Sequence, residues 1–389
     1  MELFVLLLVT EILTWIVLYQ HFYKTSEKVF YVSAIINLIL SIWLWIVFTG
    51  VNSNEENFST PRHSWLFMNF LGLVCAIVIP RFIVIFFHFT GRFLRIRNKR
   101  TLTYSGMSIS ILMSLIIAVG VFNGRFNIQT ENVTLQMKDL PESLDGFRIV
   151  QISDIHLPAF HNHQRLLKKL MNDVNAHDPD LLINTGDFVN ISWQEFNGSD
   201  SILSIARGRY GNYAVLGNHD IGTYHPEFDE ADIEDNIAIM NELIAASGYR
   251  VLNDENIILD IKGEKIALIG VITKGRHPHM IHGDLARAME GSDSAGIKIL
   301  LAHDPNQWEN DVKGKTDIDL TLSGHTHGMQ MGIMTKKFRW SPSKYFYPHW
   351  GGLFSEDDQY HYVNRGLGVL AIPFRVWMPG EITVITLTN

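Results

Sequence analysis

Five short polar motifs, each directly after a run of aliphatic or β-branched residues, constrain this 389-residue chain more than any other feature. The preceding runs, such as FRIVQIS, LLINT and IKILL, are typical of buried strands. The motifs, in chain order, are Asp154-Ile155-His156, Gly186-Asp187, Gly217-Asn218-His219-Asp220, Ala302-His303-Asp304 and Gly324-His325-Thr326-His327. In an open α/β sheet, the loops beyond the carboxyl ends of neighbouring strands meet at one crevice. The spacing therefore predicts an α/β protein whose motifs converge on a single site.

Carboxylate, imidazole and amide groups brought to one point indicate a metal site. The motifs contain no cysteine, which excludes a closed thiolate site. These ligands suit divalent ions such as Mn²⁺, Zn²⁺ or Fe, and they outnumber the needs of one tetrahedral ion. We therefore predict two ions roughly 3.5–4 Å apart, the arrangement used for in-line displacement at phosphorus. Asp187 is the predicted bridging ligand, because Gly186 before it lets the backbone approach closely.

Each motif taken alone has a simpler explanation. Gly, Asn and Asp are common in turns after strands, and buried His and Asp side chains often satisfy each other's hydrogen bonds. Such an explanation accounts for one motif, but not for five in this order.

The order D-x-H, G-D, G-N-H-D, H and G-H-x-H resembles that of the calcineurin-like metallophosphoesterases over residues 146–389. The resemblance implies an α/β/α sandwich of two mixed sheets flanked by helices. Two further segments, 328–330 and 362–368, are similar to the membrane- or cell-wall-associated bacterial phosphodiesterases of that family. Met329 stands where that subgroup often has a second glycine, a change expected to leave the ligands intact and to narrow the rim of the pocket.

The resemblance also implies a role for each residue of the site. The ligands of one ion would be Asp154, His156, Asp187 and His327. Those of the other ion would be Asp187, Asn218, His303 and His325. His219 would be the catalytic histidine beside the scissile phosphate, and Asp220 would orient it and fix its tautomer.

The first third of the chain differs in kind, because it contains four long apolar stretches at 3–19, 29–49, 65–89 and 107–123. Each approaches the roughly 20 residues that span a bilayer. A buried soluble helix would explain one such stretch but not four in succession. The first stretch has no basic segment before it and no small-residue cleavage site after it, so it is not typical of a signal peptide. We predict a transmembrane domain at 1–123, a linker at 124–145 and the catalytic domain at 146–389.

Two ionisable residues fall within these apolar stretches, and such groups are costly at membrane depth. For Arg81, beside Pro80, we expect the side chain to extend toward the basic side of the bilayer, with the following FIVIFFHF in or near the interface. For Glu11, the sequence leaves open whether it pairs within the helix bundle or has a functional role.

Charges between the apolar stretches predict the orientation of the chain. The connection at 90–106 has no acidic residue and five basic ones, namely Arg92, Arg95, Arg97, Lys99 and Arg100. The connection at 19–28 is net basic and that at 50–64 is net acidic. By the positive-inside rule, the first and third connections face the cytoplasm. The chain is then a multi-pass integral membrane protein with an extracytoplasmic catalytic domain, and removing the third stretch from the count would reverse that side.

Charge and cysteine content limit the partners and the covalent framework. The chain has a net charge of −8, and residues 1–123 have nine Lys and Arg against five Asp and Glu, which leaves −12 for residues 124–389. Nucleic-acid binding depends on clustered Lys and Arg, so we expect no tight binding of DNA or RNA. The single cysteine, Cys75, lies in an apolar stretch, and no disulfide within the chain can form.

Some other residues have two interpretations. His161 and His163 either line the substrate mouth or, as we prefer, lie in a solvated loop before a helix. Arg365 either clamps a phosphate oxygen or forms a structural ion pair. The aromatic segment 338–354 is assigned to core or loop packing, and a membrane-facing edge that admits lipids is the alternative.

The predicted function is that of a membrane-tethered, dimetal-dependent phosphoesterase. A hydroxide bridging two divalent ions attacks a phosphodiester or phosphomonoester in line, and His219 stabilises or protonates the leaving alkoxide. The tether beside the bilayer favours a lipid-linked or cell-envelope substrate. The alternative is a non-catalytic membrane receptor or assembly subunit that retains the fold, but the complete ligand set and His219 favour the enzyme.

Overall fold

The computed structural model describes residues 2–23, 26–52, 59–273, 283–335 and 338–389. They group into two compact units. The first unit comprises Met1–Phe58, Leu66–Gly124 and Ala371–Val376. The second comprises Ser59–Trp65, Arg125–Leu370 and Trp377–Asn389. Each unit is therefore assembled from separate stretches of the chain, which the sequence did not predict.

Among the described residues, four helices are long and apolar enough to cross a membrane, as predicted, and we call them spans 1 to 4. They are Glu2–Tyr23, Glu27–Val51, Pro61–Phe93 and Lys99–Phe126. Their α-helical parts are α1 (Glu2–Leu18), α2 (Glu27–Asn52), α3 (Pro61–Leu73), α4 (Ile79–Phe93) and α5 (Lys99–Phe122). The acidic residues between spans 2 and 3, Glu55 and Glu56, lie outside the described residues.

Span 3 continues through Pro80, a residue that commonly interrupts helices. A π-helical turn, Val74–Val78, joins α3 to α4 just before the proline. Proline has no N–H to donate to the carbonyl four residues earlier, which is that of Ala76. Ser114 of span 4 donates to this carbonyl instead, at 3.4 Å, and Ser110 donates to the carbonyl of Pro80 at 2.7 Å. The Ser114 hydroxyl thus satisfies the carbonyl that the proline leaves without its donor.

Arg81 pairs with Glu11, so the expectation that it extends toward the basic side of the bilayer is wrong. Its guanidinium lies 2.8 Å from the Glu11 carboxylate, and Arg81 is only 8% exposed. Ser41 donates to the same carboxylate at 2.7 Å, and Asn37 donates to it at 3.1 Å. Two charges at this depth are tolerated because each satisfies the other and both have further hydrogen bonds. For Glu11, pairing within the bundle is therefore the observed outcome.

The second unit contains two six-stranded sheets and a two-stranded hairpin. The first sheet has the order β1-β14-β2-β3-β4-β5, with β1 (Ile128–Gln136), β14 (Gly380–Thr388), β2 (Arg148–Ile152), β3 (Leu181–Asn184), β4 (Asn212–Ala214) and β5 (Arg250–Val251). The second has the order β12-β13-β9-β8-β7-β6, with β12 (Gly352–Glu356), β13 (Gln359–Val363), β9 (Leu320–Ser323), β8 (Ile297–Ala302), β7 (Glu264–Val271) and β6 (Glu255–Ile261). The hairpin pairs β10 (Ile333–Met334) with β11 (Arg339–Trp340).

Both sheets are mixed, as predicted. β2, β3, β4 and β5 run parallel, and so do β13, β9, β8 and β7. One apolar core contains side chains from both sheets, among them Ile149, Ile183, Leu301 and Leu322, all at most 1% exposed. Strands buried in this way need continuous apolar runs, which is why the motifs stand out in the sequence. The helices of this unit are α6 (Gln164–Asn175), α7 (Asp200–Leu203), α8 (Glu230–Ala246) and α9 (Leu285–Met289).

The segment predicted as a linker, 124–145, contains the first strand of the first sheet. Strand β1 pairs in parallel with β14 over nine residues, from Ile128 opposite Gly380 to Gln136 opposite Thr388. Strand β1 is an edge strand and is exposed or half-buried along most of its length. Its sequence, IQTENVTLQ, is therefore polar and lacks the pattern of a buried strand. Long-range pairing, not local pattern, places it in the sheet.

Candidate metal centre

All five motifs lie where strands end, as predicted. The first three follow β2, β3 and β4 of the first sheet, and the last two follow β8 and β9 of the second sheet. Because these strands are parallel within each sheet, their carboxyl ends share an edge. The loops of the two sheets thereby meet and bring their side chains together.

One group of ligand atoms comes from Asp154, His156 and His327. His327 Nε2 lies 3.1 Å from an Asp154 carboxylate oxygen and 3.1 Å from His156 Nε2. All three side chains are nearly or fully buried. This set corresponds to three of the four ligands predicted for the first ion.

A second group comes from Asp187, His303 and His325. His303 Nε2 lies 3.1 Å from Asp187 Oδ2, 3.1 Å from Asn218 Oδ1 and 3.2 Å from His325 Nδ1. These four residues are the ligands predicted for the second ion.

Asp187 stands between the two groups. Its Oδ2 atom lies 3.1 Å from His303 Nε2 in one group and 3.8 Å from His156 Nε2 in the other. Its other oxygen accepts the backbone N–H of His219 at 2.9 Å. This is the position that a bridging carboxylate needs.

The backbone at these residues is held in a sparsely populated conformation. The φ angles of five of the predicted ligands are positive, at Asp154 (48°), His156 (46°), Asp187 (59°), His325 (74°) and His327 (49°). Non-glycine residues adopt the left-handed region at a cost of roughly 1–3 kcal/mol each, and they cluster at functional sites. A Cβ at Gly324 would collide with the Asp154 carboxylate, so glycine is required where these loops cross.

The donor set fits divalent cations. His156 donates from Nδ1 to the carbonyl of Val189 at 3.0 Å, and His303 donates from Nδ1 to the carbonyl of Thr185 at 2.7 Å. The Nε2 atom of each neutral ring therefore presents a lone pair to the site, as a metal ligand must.

The buried carboxylates of the site also favour a positive charge beside them. Burial, the largest single effect, would lower the pKa of His303, but the Asp187 and Asp154 carboxylates and the bond to Thr185 together raise this pKa to about 10. Burial lowers the pKa of His156 to about 3. The carboxylates therefore hold a proton at His303 unless another cation takes its place, and a divalent ion supplies that charge.

His219 lies beside the two groups but is oriented differently from the prediction. Its Nδ1 donates to the backbone carbonyl of Asn190 at 2.5 Å, and its ring stacks on Tyr224 at 4.4 Å. The carboxylate of Asp220 instead accepts four backbone N–H groups, at distances of 2.7–3.2 Å, from Asp187, Phe188, Val189 and Gly217. The prediction that Asp220 orients His219 is therefore wrong. Asp220 holds together the two loops that carry Asp187 and Asn218.

Comparison with known proteins identifies the family. Residues 147–329 match the family described as calcineurin-like phosphoesterase. A metallophosphoesterase of Bacillus subtilis is 30% identical over 268 residues, which cover 67% of this chain and 86% of the relative. The chain belongs to the calcineurin-like phosphoesterase family. Its matched domain is accordingly that of a metal-dependent phosphoester hydrolase.

Two other relatives in this family are a transmembrane protein and a pyrophosphatase named for its substrate. A transmembrane protein with a metallophosphoesterase domain from Danio rerio is 29% identical over 289 residues, 72% of this chain, and the match spans only 62% of that relative. The UDP-2,3-diacylglucosamine pyrophosphatase LpxG of Chlamydia muridarum is 26% identical over 288 residues, 62% of this chain and 84% of the relative. Membrane spans thus also occur in a named relative of this phosphoesterase.

Two tyrosines of the phosphoesterase site were missed by the sequence analysis. The Tyr224 hydroxyl accepts from the Asn218 amide at 3.0 Å, and the Tyr347 hydroxyl lies 2.8 Å from His325 Nε2. Tyr347 belongs to the aromatic segment 338–354, and Tyr224 follows the G-N-H-D motif by four residues. No periodicity marks them, because both reach the site from irregular loops.

Three other residues with two interpretations belong to neither group of ligand atoms. Arg365 is fully buried between Glu131 and Glu381, and so it forms a structural ion pair. The rings of His161 and His163 pack against Trp65 and Phe126, respectively. Neither histidine joins the two groups of ligand atoms.

Proposed function

We propose that this protein is a membrane-tethered dimetal phosphoesterase that hydrolyses phosphodiester or phosphomonoester bonds of a lipid or cell-envelope substrate. The observation that carries the proposal is the position of Asp187 between two groups of ligand atoms, 3.1 Å from His303 Nε2 and 3.8 Å from His156 Nε2. The first ion would bind Asp154, His156, Asp187 and His327. The second would bind Asp187, Asn218, His303 and His325.

Two divalent ions bound there would neutralise the phosphoryl oxygens and lower the pKa of a water molecule. The protein's own residues have separate tasks. Because His219 Nδ1 donates to Asn190, its Nε2 atom is the free position for proton exchange with the leaving alkoxide. Such acid catalysis typically contributes 10²–10⁴-fold to the rate. Stacking on Tyr224 restricts the ring to this orientation.

An exposed apolar segment just before Tyr347, which contacts His325, supports a lipid substrate. Five large apolar side chains are exposed between residues 329 and 346, namely Met329, Ile333, Phe338, Tyr345 and Phe346. Arg339 and Lys344 are exposed among them. Aromatic residues with interspersed cations are typical of surfaces that contact lipid acyl chains and anionic headgroups. The Chlamydia muridarum relative is named for a diacylated substrate, which agrees with this assignment.

The test is metal-dependent turnover by the full-length protein in detergent micelles. We expect hydrolysis of bis-p-nitrophenyl phosphate or p-nitrophenyl phosphate that chelation abolishes and Mn²⁺ or Zn²⁺ restores, and no hydrolysis by Asp187→Asn. A diacylated phosphoester in mixed micelles should be a better substrate than its deacylated form. Phe346→Ser should reduce that difference without changing turnover of the nitrophenyl ester. Metal-loaded protein that hydrolyses none of these esters would favour a non-catalytic receptor or assembly subunit.

A further inference from the structure

A buried carboxylate in the second unit has no part in the reaction proposed above. Glu195 lies in the short 3₁₀ turn Trp193–Phe196 and is 1% exposed. A carboxylate buried to this extent is destabilising unless its oxygens have hydrogen-bond donors.

In the part of the chain that the structure describes, the donors to Glu195 are two backbone N–H groups of one loop and the hydroxyl of Ser64. Its Oε2 atom accepts the backbone N–H of Asn190 at 2.5 Å and that of Ile191 at 2.9 Å. Its Oε1 atom accepts the hydroxyl of Ser64. Ser64 is 3% exposed and belongs, with residues 59–65, to the same compact unit. The carboxylate therefore joins the 190–191 loop to a segment more than a hundred residues away in sequence.

The peptide group that Glu195 binds is also the one that holds His219. The N–H of Ile191 and the C=O of Asn190 belong to one planar peptide unit. Glu195 accepts from the N–H at 2.9 Å, and His219 Nδ1 donates to the C=O at 2.5 Å. An acceptor on the N–H polarises the peptide and strengthens its carbonyl as an acceptor. Glu195 thus fixes both the place and the strength of the bond that sets the His219 tautomer.

We propose that Glu195 is a positioning residue for His219, acting through the Asn190–Ile191 peptide, and that Ser64 fixes the Glu195 carboxylate. The inference rests on the proposed function only where activity is measured. The orientation of His219 that it describes is a property of the protein with or without metal.

The choice of variants follows from the contacts. Glu195→Ala removes the oxygen that accepts both N–H groups of the loop. Glu195→Gln keeps an oxygen for the two N–H groups and places an amide toward Ser64. Burial raises the pKa of Glu195 to about 7, so the neutral amide differs little in charge from the glutamate side chain near neutral pH. Ser64→Ala removes only the hydroxyl that donates to Glu195 Oε1. Glu242→Ala and Ser201→Ala are matched controls on exposed side chains of the same unit.

The first measurement needs no turnover. Diethyl pyrocarbonate modification of His219 in metal-free full-length protein is followed by peptide mass spectrometry. We expect faster modification in Glu195→Ala, a smaller increase in Ser64→Ala, and the wild-type rate in Glu195→Gln and both controls. An unchanged rate in folded Glu195→Ala would overturn the proposal.

The second measurement is a double-mutant cycle on metal-loaded full-length protein. Misplacement by about 1 Å lowers rates by up to about 100-fold. We expect such a loss of kcat in Glu195→Ala, greater for alkyl than for nitrophenyl leaving groups, with little change in KM or metal content. In a His219→Ala background the same substitution should have little further effect. Equal losses in the two backgrounds, or loss of metal, would overturn the proposal. Wild-type protein without turnover would instead contradict the proposed function, and the modification rates would still decide the role of Glu195.

Discussion

At the scale of single residues, hydrogen bonds to the backbone determine what each histidine offers to the site. His156 and His303 each donate from Nδ1 to a carbonyl, which leaves Nε2 for a metal ion. His219 does the same with Asn190, but its partly exposed ring lies beside the ligands and not among them. We therefore propose that the same residue type serves as a metal ligand in two cases and, in the third, exchanges a proton with the leaving group.

The bridging position of Asp187 has a measurable consequence. Asp187→Asn removes the one charged ligand near both groups, so both ions should bind more weakly. His156→Ala removes a ligand of one group and should chiefly weaken one ion. Elemental analysis of the purified proteins after dialysis measures the number of retained ions, with His161→Ala as the control outside the site. Two tightly bound ions and full activity in both variants would contradict the ligand assignment.

The role of His219 predicts a dependence on the leaving group. His219→Ala should keep the metal content and lower kcat by about 10²–10⁴-fold for alkyl esters, because a general acid matters most for a poor leaving group. Nitrophenyl esters should lose much less. His163→Ala is a control on a histidine that packs against Phe126. Equal losses for both ester types would mean that His219 only positions the phosphate, and loss of metal would make it a ligand.

At the scale of elements, the strands deliver the ligands and the membrane helices enclose an ion pair. In spans 1 to 3, Glu11, Arg81, Asn37 and Ser41 form one hydrogen-bonded cluster. Asn37 and Ser41 lie one helical turn apart on α2 and so face the same side. The cluster thus connects three helices through a single carboxylate.

This cluster predicts a pairwise effect on stability. Arg81→Met alone should lower the free energy of unfolding by about 3–5 kcal/mol, because it leaves the Glu11 carboxylate uncompensated. The double variant Glu11→Leu with Arg81→Met should recover most of the loss. Thermal unfolding in detergent measures the difference, with the exposed Glu2→Gln as a control. A double variant as unstable as Arg81→Met would show that the pair is not what holds these helices together.

At the scale of the whole molecule, the number of spans and the charges beside them predict the side of the membrane on which the phosphoesterase domain lies. The four helices are all present, and Pro80 does not remove span 3 from the count. An even number of spans places both ends of the chain on one side. The basic residues at 92–100, which lie at the adjoining ends of spans 3 and 4 and between them, favour the cytoplasm for that connection. We infer that residues 125–389 are extracytoplasmic.

Reporter fusions after Asn389 test this orientation. A reporter that is active only outside the cytoplasm should be active, and one that requires the cytoplasm should be silent. Neutral replacements at the basic residues of 92–100 should produce a mixed population, since they remove the charge bias. A cytoplasmic reporter that is active on the unmodified protein would place the substrate at the cytoplasmic face.

The sequence by itself determined the features that local pattern encodes. Continuous apolar runs gave the buried strands, and polar residues at their ends gave every predicted metal ligand, because strand ends in parallel sheets share an edge. Four long apolar stretches gave the spans, since a bilayer requires that length of apolar helix.

Only the tertiary structure decided which partner each polar group has. Asp220 follows His219 in sequence, yet its carboxylate bonds to four backbone N–H groups, while His219 bonds to a carbonyl 29 residues away. The partner of Arg81 is 70 residues distant, and Ser64 is 131 residues from Glu195. Strand β1 is polar and is held in the sheet by its pairing with β14. Such contacts depend on how distant segments pack, and a hydrogen bond between them leaves no periodic signal in the sequence.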